Sequence, residues 1–406
     1  MPSRRRLLAG CGLSLAGLLA GGTLLADRSA TTDTDWPMAR YDAAGTGYNP
    51  DASGPRDEIH VAWDESLESV SGFEVTPPVL VDDILYTVGD EFVAIDTERG
   101  AARFSVDAID ASSPTYVPSS VYQTGTLAVT AKDGVIGLSA GGGVELFGLR
   151  FGDVRWRGPG QVSEIDFRDR SETPSPVRVG DTVYTAIPDT AEIVALEADS
   201  GHERWRRGFD RDDDDEAGGI THRPAVRDGI VFATGRPGEV AAFDAESGTK
   251  RWDRTLEDAT VRPPTATEAG VVVPTRTGIR LLEADSGARR WRKSLEGNAT
   301  RGAAAVAEGR VFVADDGVDG ELHALDLETG KPAWSVLYGH DDTPIVADGV
   351  VYVTNSGYEL AAFDAETGDP GFTYGAKWAI SMPAVGDGTL YVVDGDRVLA
   401  LEEQDD

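Results

Sequence analysis

Apolar residues come in short runs bounded by Gly, Asp and Pro, and no part of the body keeps the spacing of a helix face. Residues 224–244 show the unit: PAVRDG, then IVFATG, then EVAAFD, three strands separated by turn residues. The third strand ends in an acid, Gly follows four residues later, and an aromatic follows four after that in a more polar fourth strand. Six copies keep this spacing: Asp96, Gly100, Phe104; Glu197, Gly201, Trp205; Asp244, Gly248, Trp252; Glu283, Gly287, Trp291; Asp326, Gly330, Trp334; and Asp364, Gly368, Phe372. A seventh, Gly148, Gly152, Trp156, lacks the acid. The eighth is split, because VLALE ends at Glu402 close to the C-terminus while Trp63 stands in a lone strand, IHVAWDESL, near the start.

Successive aromatics are 38 to 52 residues apart, the length of one propeller blade. The pattern predicts an all-β fold, an eight-bladed β-propeller of four-stranded antiparallel blades. Residues 383–402 give three strands of the last blade and residues 59–67 its outermost one, so N- and C-terminal strands close the ring. Within each unit Gly supplies the positive φ of a tight turn, the acid bonds turn amides, and the aromatic packs on the neighbouring blade. Trp36 and Trp378 fall outside the series, and Trp378, between blades seven and eight, is expected to be buried.

Charge changes the picture next. The 70 Asp and Glu outnumber the 37 Lys and Arg, for a net charge of −33. Nucleic acid is a poor partner for such a surface. Only five basic residues are Lys, and an acidic, Lys-poor chain reads as adapted to high salt, where the Debye length falls to about 3 Å and self-repulsion is screened. Residues 1–26 read as an address: Ser3-Arg4-Arg5-Arg6-Leu7-Leu8 resembles a twin-arginine export signal, and the uncharged stretch from Leu7 to Ala26 is long enough for a membrane anchor. Leu8-Ala9-Gly10-Cys11 also resembles a lipobox, which makes Cys11 a second, lower-ranked reading as a lipidation site. Residues 27–35 read as a polar tether, 36–402 as the propeller and 403–406 as an acidic tail. Cys11 is the sole cysteine, so the body holds neither a disulfide nor a thiolate metal site.

A search for chemistry gives little. The five histidines form no local zinc pair, and no nucleophile-elbow motif is present. Asp212, Asp213, Asp214, Asp215 and Glu216 form an acidic run that reads as a solvated loop, since it lacks the alternating spacing and Gly of a calcium loop. Asp315-Asp316-Gly317 and Asp319-Gly320 read as hairpin turns. Asn298-Ala299-Thr300 is a sequon, placing a glycosylation site at Asn298.

The repeats resemble the PQQ-type propeller repeat, whose Ala, Asp, Thr-Gly and Trp are matched by Ala242, Asp244, Ser247-Gly248 and Trp252, and by Ala324, Asp326, Thr329-Gly330 and Trp334. Trp36-Pro37-Met38 with Thr46-Gly47-Tyr48-Asn49-Pro50 is similar to the opening segment of many such proteins. The resemblance implies either of two branches: quinoprotein dehydrogenases, with PQQ and calcium in the central channel, or BamB-like assembly scaffolds with no cofactor. The dehydrogenases have adjacent cysteines over the cofactor, and this body has none. The expectation is therefore a cofactor-free, exported, membrane-anchored scaffold for a protein partner at the cell surface, BamB-like by resemblance. A PQQ- and calcium-dependent dehydrogenase is the alternative, and polysaccharide binding a further one. Counted to the residue that opens the next inner strand, with Pro118 read as opening that of blade two, the longest interblade connections follow Trp63, Phe104, Trp156 and Trp205, and the stretch through Gly141-Gly142-Gly143 is read as a middle-strand loop on the same face. The expected partner rim therefore uses Phe167, Arg168 and Arg170 with the acidic run 212–216.

Overall fold

A strand that meets neighbouring sheets on both faces has no polar side, and this explains the apolar runs. In blade four, Ala225–Arg227, Ile230–Gly235 and Glu239–Asp244 are buried almost throughout, whereas in the outer strand Lys250–Thr255 only Trp252 is buried. The protein, seen here as a computed structural model, is described for residues 34–404, apart from 68–75, 89–90, 108–110, 120–123, 132–133, 147–148, 152, 161–172, 188–189, 210–221, 236, 259, 296–301, 316–319, 339–342 and 356–357. The described strands form the eight four-stranded antiparallel blades expected, with no helix among them.

The innermost strands are Val79–Val81, Thr115–Val117, Val177–Val179, Ala225–Arg227, Thr265–Thr267, Ala305–Ala307, Ile345–Ala347 and Ala384–Gly386. They lie side by side from blade one round to blade seven, and that of blade eight lies beside that of blade one. The ring closes as predicted: Ile59–Ser66 is the outer strand of blade eight, pairing antiparallel with Arg397–Glu403 from Ile59 opposite Glu403 to Ser66 opposite Arg397. Because each blade is antiparallel, the interblade connection and the second-to-third turn share one face, here the connection face. The first-to-second and third-to-fourth turns share the other, here the turn face.

The repeat motif joins each blade to the next. The indole N–H of Trp63, Trp156, Trp205, Trp252, Trp291 and Trp334 donates to a turn carbonyl one blade on, that of Thr97, Ala198, Ala245, Ala284, Leu327 and Ala365, at 2.7 to 3.2 Å. The ring then lies on that turn's glycine. A Cβ on Gly100, Gly201, Gly248, Gly287, Gly330 or Gly368 would sit 2.4 to 2.9 Å from the preceding blade's indole, so no other residue fits. Each of these glycines donates its N–H to the carbonyl of the repeat acid, as Gly248 does to Asp244 at 2.8 Å, and has positive φ. The acid's side chain holds the turn from the other end: Asp244 Oδ1 accepts from the Ser247 amide and hydroxyl, and Oδ2 from Arg251. Arg251, with Ser247, pulls the Asp244 carboxyl down to about 2.

Blade two departs from the sequence reading. Its innermost strand ends at Val117, so Pro118 follows that strand instead of opening it. Gly141-Gly142-Gly143 belongs to the connection between the third strand, Gly134–Ser139, and the fourth, Val154–Arg157, and so lies on the turn face and not with the interblade loops. That connection carries its own hairpin, Val144–Leu146 with Leu149–Phe151. Gly142, with φ +72, receives the Phe104 ring, a place the motif spacing gave to Gly152, which is outside the described residues. The hairpin separates the docking glycine from its aromatic and breaks the four-residue count.

Two glycines separate the cost of a turn from the cost of docking. Gly248 and Gly229 have φ of +67° and +72°, but a Cβ at 248 meets Trp205 at 2.6 Å while one at 229 meets nothing within 4 Å. In denaturant unfolding Gly229→Ala should cost about 1–2 kcal/mol of left-handed strain. Gly248→Ala should cost about 1–3 kcal/mol more through overpacking. Equal losses would mean that the indole makes no demand on the turn.

Candidate functional site

The innermost strand of a propeller blade leaves one edge of backbone groups facing the axis, and buried groups of this kind must find partners. Here the chain supplies them itself. Residues 34–49 run round the inside of the ring and bond the middle residue of the innermost strand in six of the eight blades. Trp36 exchanges two bonds with Leu80, at 2.8 and 3.0 Å; the carbonyls of Pro37, Ala43, Ala44, Thr46 and Gly47 then accept from Tyr116, Val226, Ala266, Val306 and Val346 at 2.7 to 2.9 Å. Tyr48–Asn49 ends the course as a fifth, parallel strand on blade seven, and Asn49 Nδ2 donates to Asp35 O at 3.1 Å, closing the collar on itself. Trp36, Met38, Arg40 and Asn49 are buried.

Arg40 is the collar's centre. Its guanidinium donates to Gly45 O within the collar and, across the axis, to Ala304 O at 2.7 Å and Pro344 O at 3.3 Å, just before the innermost strands of blades six and seven. Arg223, before the innermost strand of blade four, donates to Asp42 O and Pro224 O. Burial, with Arg223 adding repulsion, pushes Arg40 down to about 9, and burial pushes Arg223 down to about 10. The neighbouring carboxylate, Asp42, is spent on the collar turn, accepting from the Thr46 amide and hydroxyl at 2.9 Å. Sequence reasoning singled out neither arginine. The one available signal was the opening segment, noted for its resemblance and not for what its buried cation spans.

Other candidates lie apart from the collar. Asp315, read as a turn residue, is 1% exposed; its Oδ2 is 2.8 Å from His323 Nε2 and its Oδ1 accepts from the Glu321 amide. A groove of about 540 Å³ between blades six and seven on the turn face is lined by Arg56, Glu308, Arg310, Asp348, Asp364 and Glu366. Its cations are occupied: Arg56 bonds Asp348 O and pairs with Asp364, and Arg310 donates to Ala365 O and Glu366 O. Among the described residues no three His, Cys, Asp or Glu are grouped to hold a metal ion. Trp378, expected to be buried, is 55% exposed: it stands on an interblade connection, where Gly395 of the next blade's turn lies against its Cβ and Cγ. Phe167, Arg168, Arg170, the run 212–216, Cys11 and Asn298 lie outside the described residues, as do the expected signal and most of the tether. No helix among the described residues is long and apolar enough to cross a membrane.

An eight-bladed ring built on indole-to-glycine docking, with acid-capped turns in six of its blades, defines a PQQ-type propeller. The chain belongs to the family described as outer membrane protein assembly factor BamB, whose model matches residues 189–282 and 275–405. No curated protein matches the sequence. Among solved structures, the quinohemoprotein alcohol dehydrogenase of Comamonas testosteroni is similar at 15% identity and TM-score 0.68, covering 92% of this chain and 81% of its own. BamB of Moraxella catarrhalis is similar at 15% identity and TM-score 0.60, over 85% of this chain and all of its own. A europium-containing methanol dehydrogenase follows at 12% and 0.65, over 89% of each. At these identities the likeness carries the fold alone, and it spans both catalytic and non-catalytic proteins.

The collar predicts a large penalty at one position. Arg40→Ala should lower stability by about 3 kcal/mol or more, leaving buried carbonyls unpaired. Arg289→Ala, at an exposed side chain, should stay within about 0.5 kcal/mol. Similar melting temperatures for the two variants would mean that the collar is dispensable to the ring.

Proposed function

We propose that the chain is a non-catalytic protein-binding scaffold, exported and held by residues 1–26 at the outer face of the plasma membrane, and adapted to high salt. The observation that carries this reading is the collar: the axis-facing amides of six blades are bonded to residues 34–49, and Arg40 crosses the space between them. A planar quinone with its calcium ion needs donors and carboxylates free at the axis. The residues described here do not fit that pair, since the axial donors are engaged and no acidic cluster is assembled for a metal. The cysteine-free body points the same way. Membership in the BamB family supports a role in contact with another protein. The surface proposed for it is the rim after Trp156 and Trp205, where Phe167, Arg168, Arg170 and the run 212–216 stand in the two longest interblade connections.

Two readouts test this. Purified protein mixed with PQQ and calcium should show neither a bound-quinone absorbance change nor alcohol-dependent dye reduction; either signal would establish the dehydrogenase reading instead. Cross-linking in the native membrane should capture a protein partner, and shortening both rim connections should abolish the capture without lowering the melting temperature. Undiminished capture would remove the rim from the account.

A further inference from the structure

A left-handed backbone strains any residue that carries a side chain, so it belongs to glycine or to the short acids and amides of turns. Among the described residues, eight besides the glycines have positive φ; six are acids in turns, and the other two are Tyr41 and Tyr358. Tyr41 lays its ring on Trp36, 5.4 Å between centroids, and this packing offsets the strain. Tyr358 has φ +64° and is 45% exposed. Its place in the fold calls for no side chain. In blade four the residue before the third strand is Gly238, with φ +82°, and its carbonyl accepts from the amide of Leu256, the first residue after the outer strand. Tyr358 makes the same bond in blade seven, its carbonyl accepting from the Ala376 amide at 2.7 Å. A glycine would close this turn without strain, and the chain sets an exposed aromatic there instead.

Two residues beyond Ala376, the connection to blade eight presents Trp378, 55% exposed. Both loops are braced. The Tyr358 amide donates to Asn355 O at 3.1 Å, Asn355 Nδ2 donates to Glu359 Oε2, and Asn355 Oδ1 accepts from the Glu359 amide. On the other loop the Lys377 and Trp378 amides donate to Asp394 Oδ1, while Oδ2 of that fully buried carboxylate accepts from Tyr374 and Arg397. Gly395 backs the indole, and a Cβ there would come within 2.9 Å of it. Two flat side chains thus stand on adjoining, fixed loops of the connection face.

From these features we infer that Tyr358 and Trp378 form a stacking platform for the sugar rings of a neutral polysaccharide. One face of a pyranose ring is lined with C–H groups, and these polarised hydrogens meet the negative face of an aromatic ring while the hydroxyls keep their water. Size argues against a protein at this spot. Two aromatic side chains cover about 150–250 Å² each, well short of the roughly 800 Å² that each partner gives to a stable protein interface. Charge argues against an ionic ligand, since a body of net −33 either repels it or draws it to carboxylates over the whole surface. A neutral ring is indifferent to that field and to the salt that screens it. The platform lies on blades seven and eight, apart from the rim proposed for a protein partner, so the inference does not rest on the scaffold reading.

Retention of the full chain on resins coupled to dextran, to mannan and to the neutral glycan of the native cell envelope tests it. The wild-type chain should be retained on at least one of the three, with the same elution volume in moderate and in molar KCl. Tyr358→Gly with Trp378→Ala should weaken retention by about tenfold or more. Tyr358→Gly alone should weaken it while raising the melting temperature, because the turn keeps its bond and loses its strain. A photo-cross-linking residue at 378 should form its adduct with glycan. A wild-type chain that passes all three resins overturns the inference, as does equal retention of the double variant. So does a lowered melting temperature for Tyr358→Gly, which would make the ring part of the packing of the fold. Retention lost in molar salt, or an adduct at 378 with polypeptide alone, overturns it as well.

Discussion

The ring depends on one interaction, the seating of a tryptophan on the glycine of the next blade's turn. The contact is directional, because the indole N–H reaches a turn carbonyl while the ring face covers a Cα that carries no side chain. It ties blades that share no sheet, since hydrogen bonding between strands ends at the outer edge of each blade. It also explains why the middle strands can be apolar on both faces, with each blade serving as the cover of the one before. The acid that caps the turn, such as Asp244 with its bonds to Ser247 and Arg251, fixes the glycine where the indole needs it.

A repeat array must be finished at both ends, and here residues 34–66 finish it three times. They satisfy the axial edges as the collar and provide the outer strand of blade eight. Between these two tasks, at the seam where blade eight has no turn of its own, Arg56 O accepts from the Phe372 amide and Pro55 O from the Tyr352 hydroxyl. Phe372, lacking an indole N–H, is the outer-strand aromatic that meets this seam. The proposed scaffold role rests on the same segment, since a collar bonded to the axial edges leaves the outward loops as the surfaces proposed for recognition.

Much of this was legible in the sequence because a packing rule repeated from blade to blade becomes a spacing rule. The acid, glycine and aromatic gave the blades, the direction of the closing strand and the docking residues. The rule failed where a local insertion intervened, as the hairpin 144–151 hid Gly142 behind Gly152 and left Pro118 on the wrong side of its strand. It was silent on Arg40 and Arg223, whose partners are carbonyls from several blades, contacts with no sequence spacing at all. Trp378 was expected inside because tryptophan is costly to expose; it stands instead on an interblade connection, more than half exposed beside Gly395 of the next blade.

If the indole seats hold the ring together, their hydrogens should be freed only when the blades part. Hydrogen exchange of the tryptophan side-chain N–H groups, followed by NMR in molar KCl, measures this directly, with exposed Trp378 as the internal reference. The account predicts that the indoles of Trp63, Trp156, Trp205, Trp252, Trp291 and Trp334 exchange together and slowly, at the rate of global unfolding. Exchange of these six on the timescale of Trp378, while the strand amides remain protected, would contradict it.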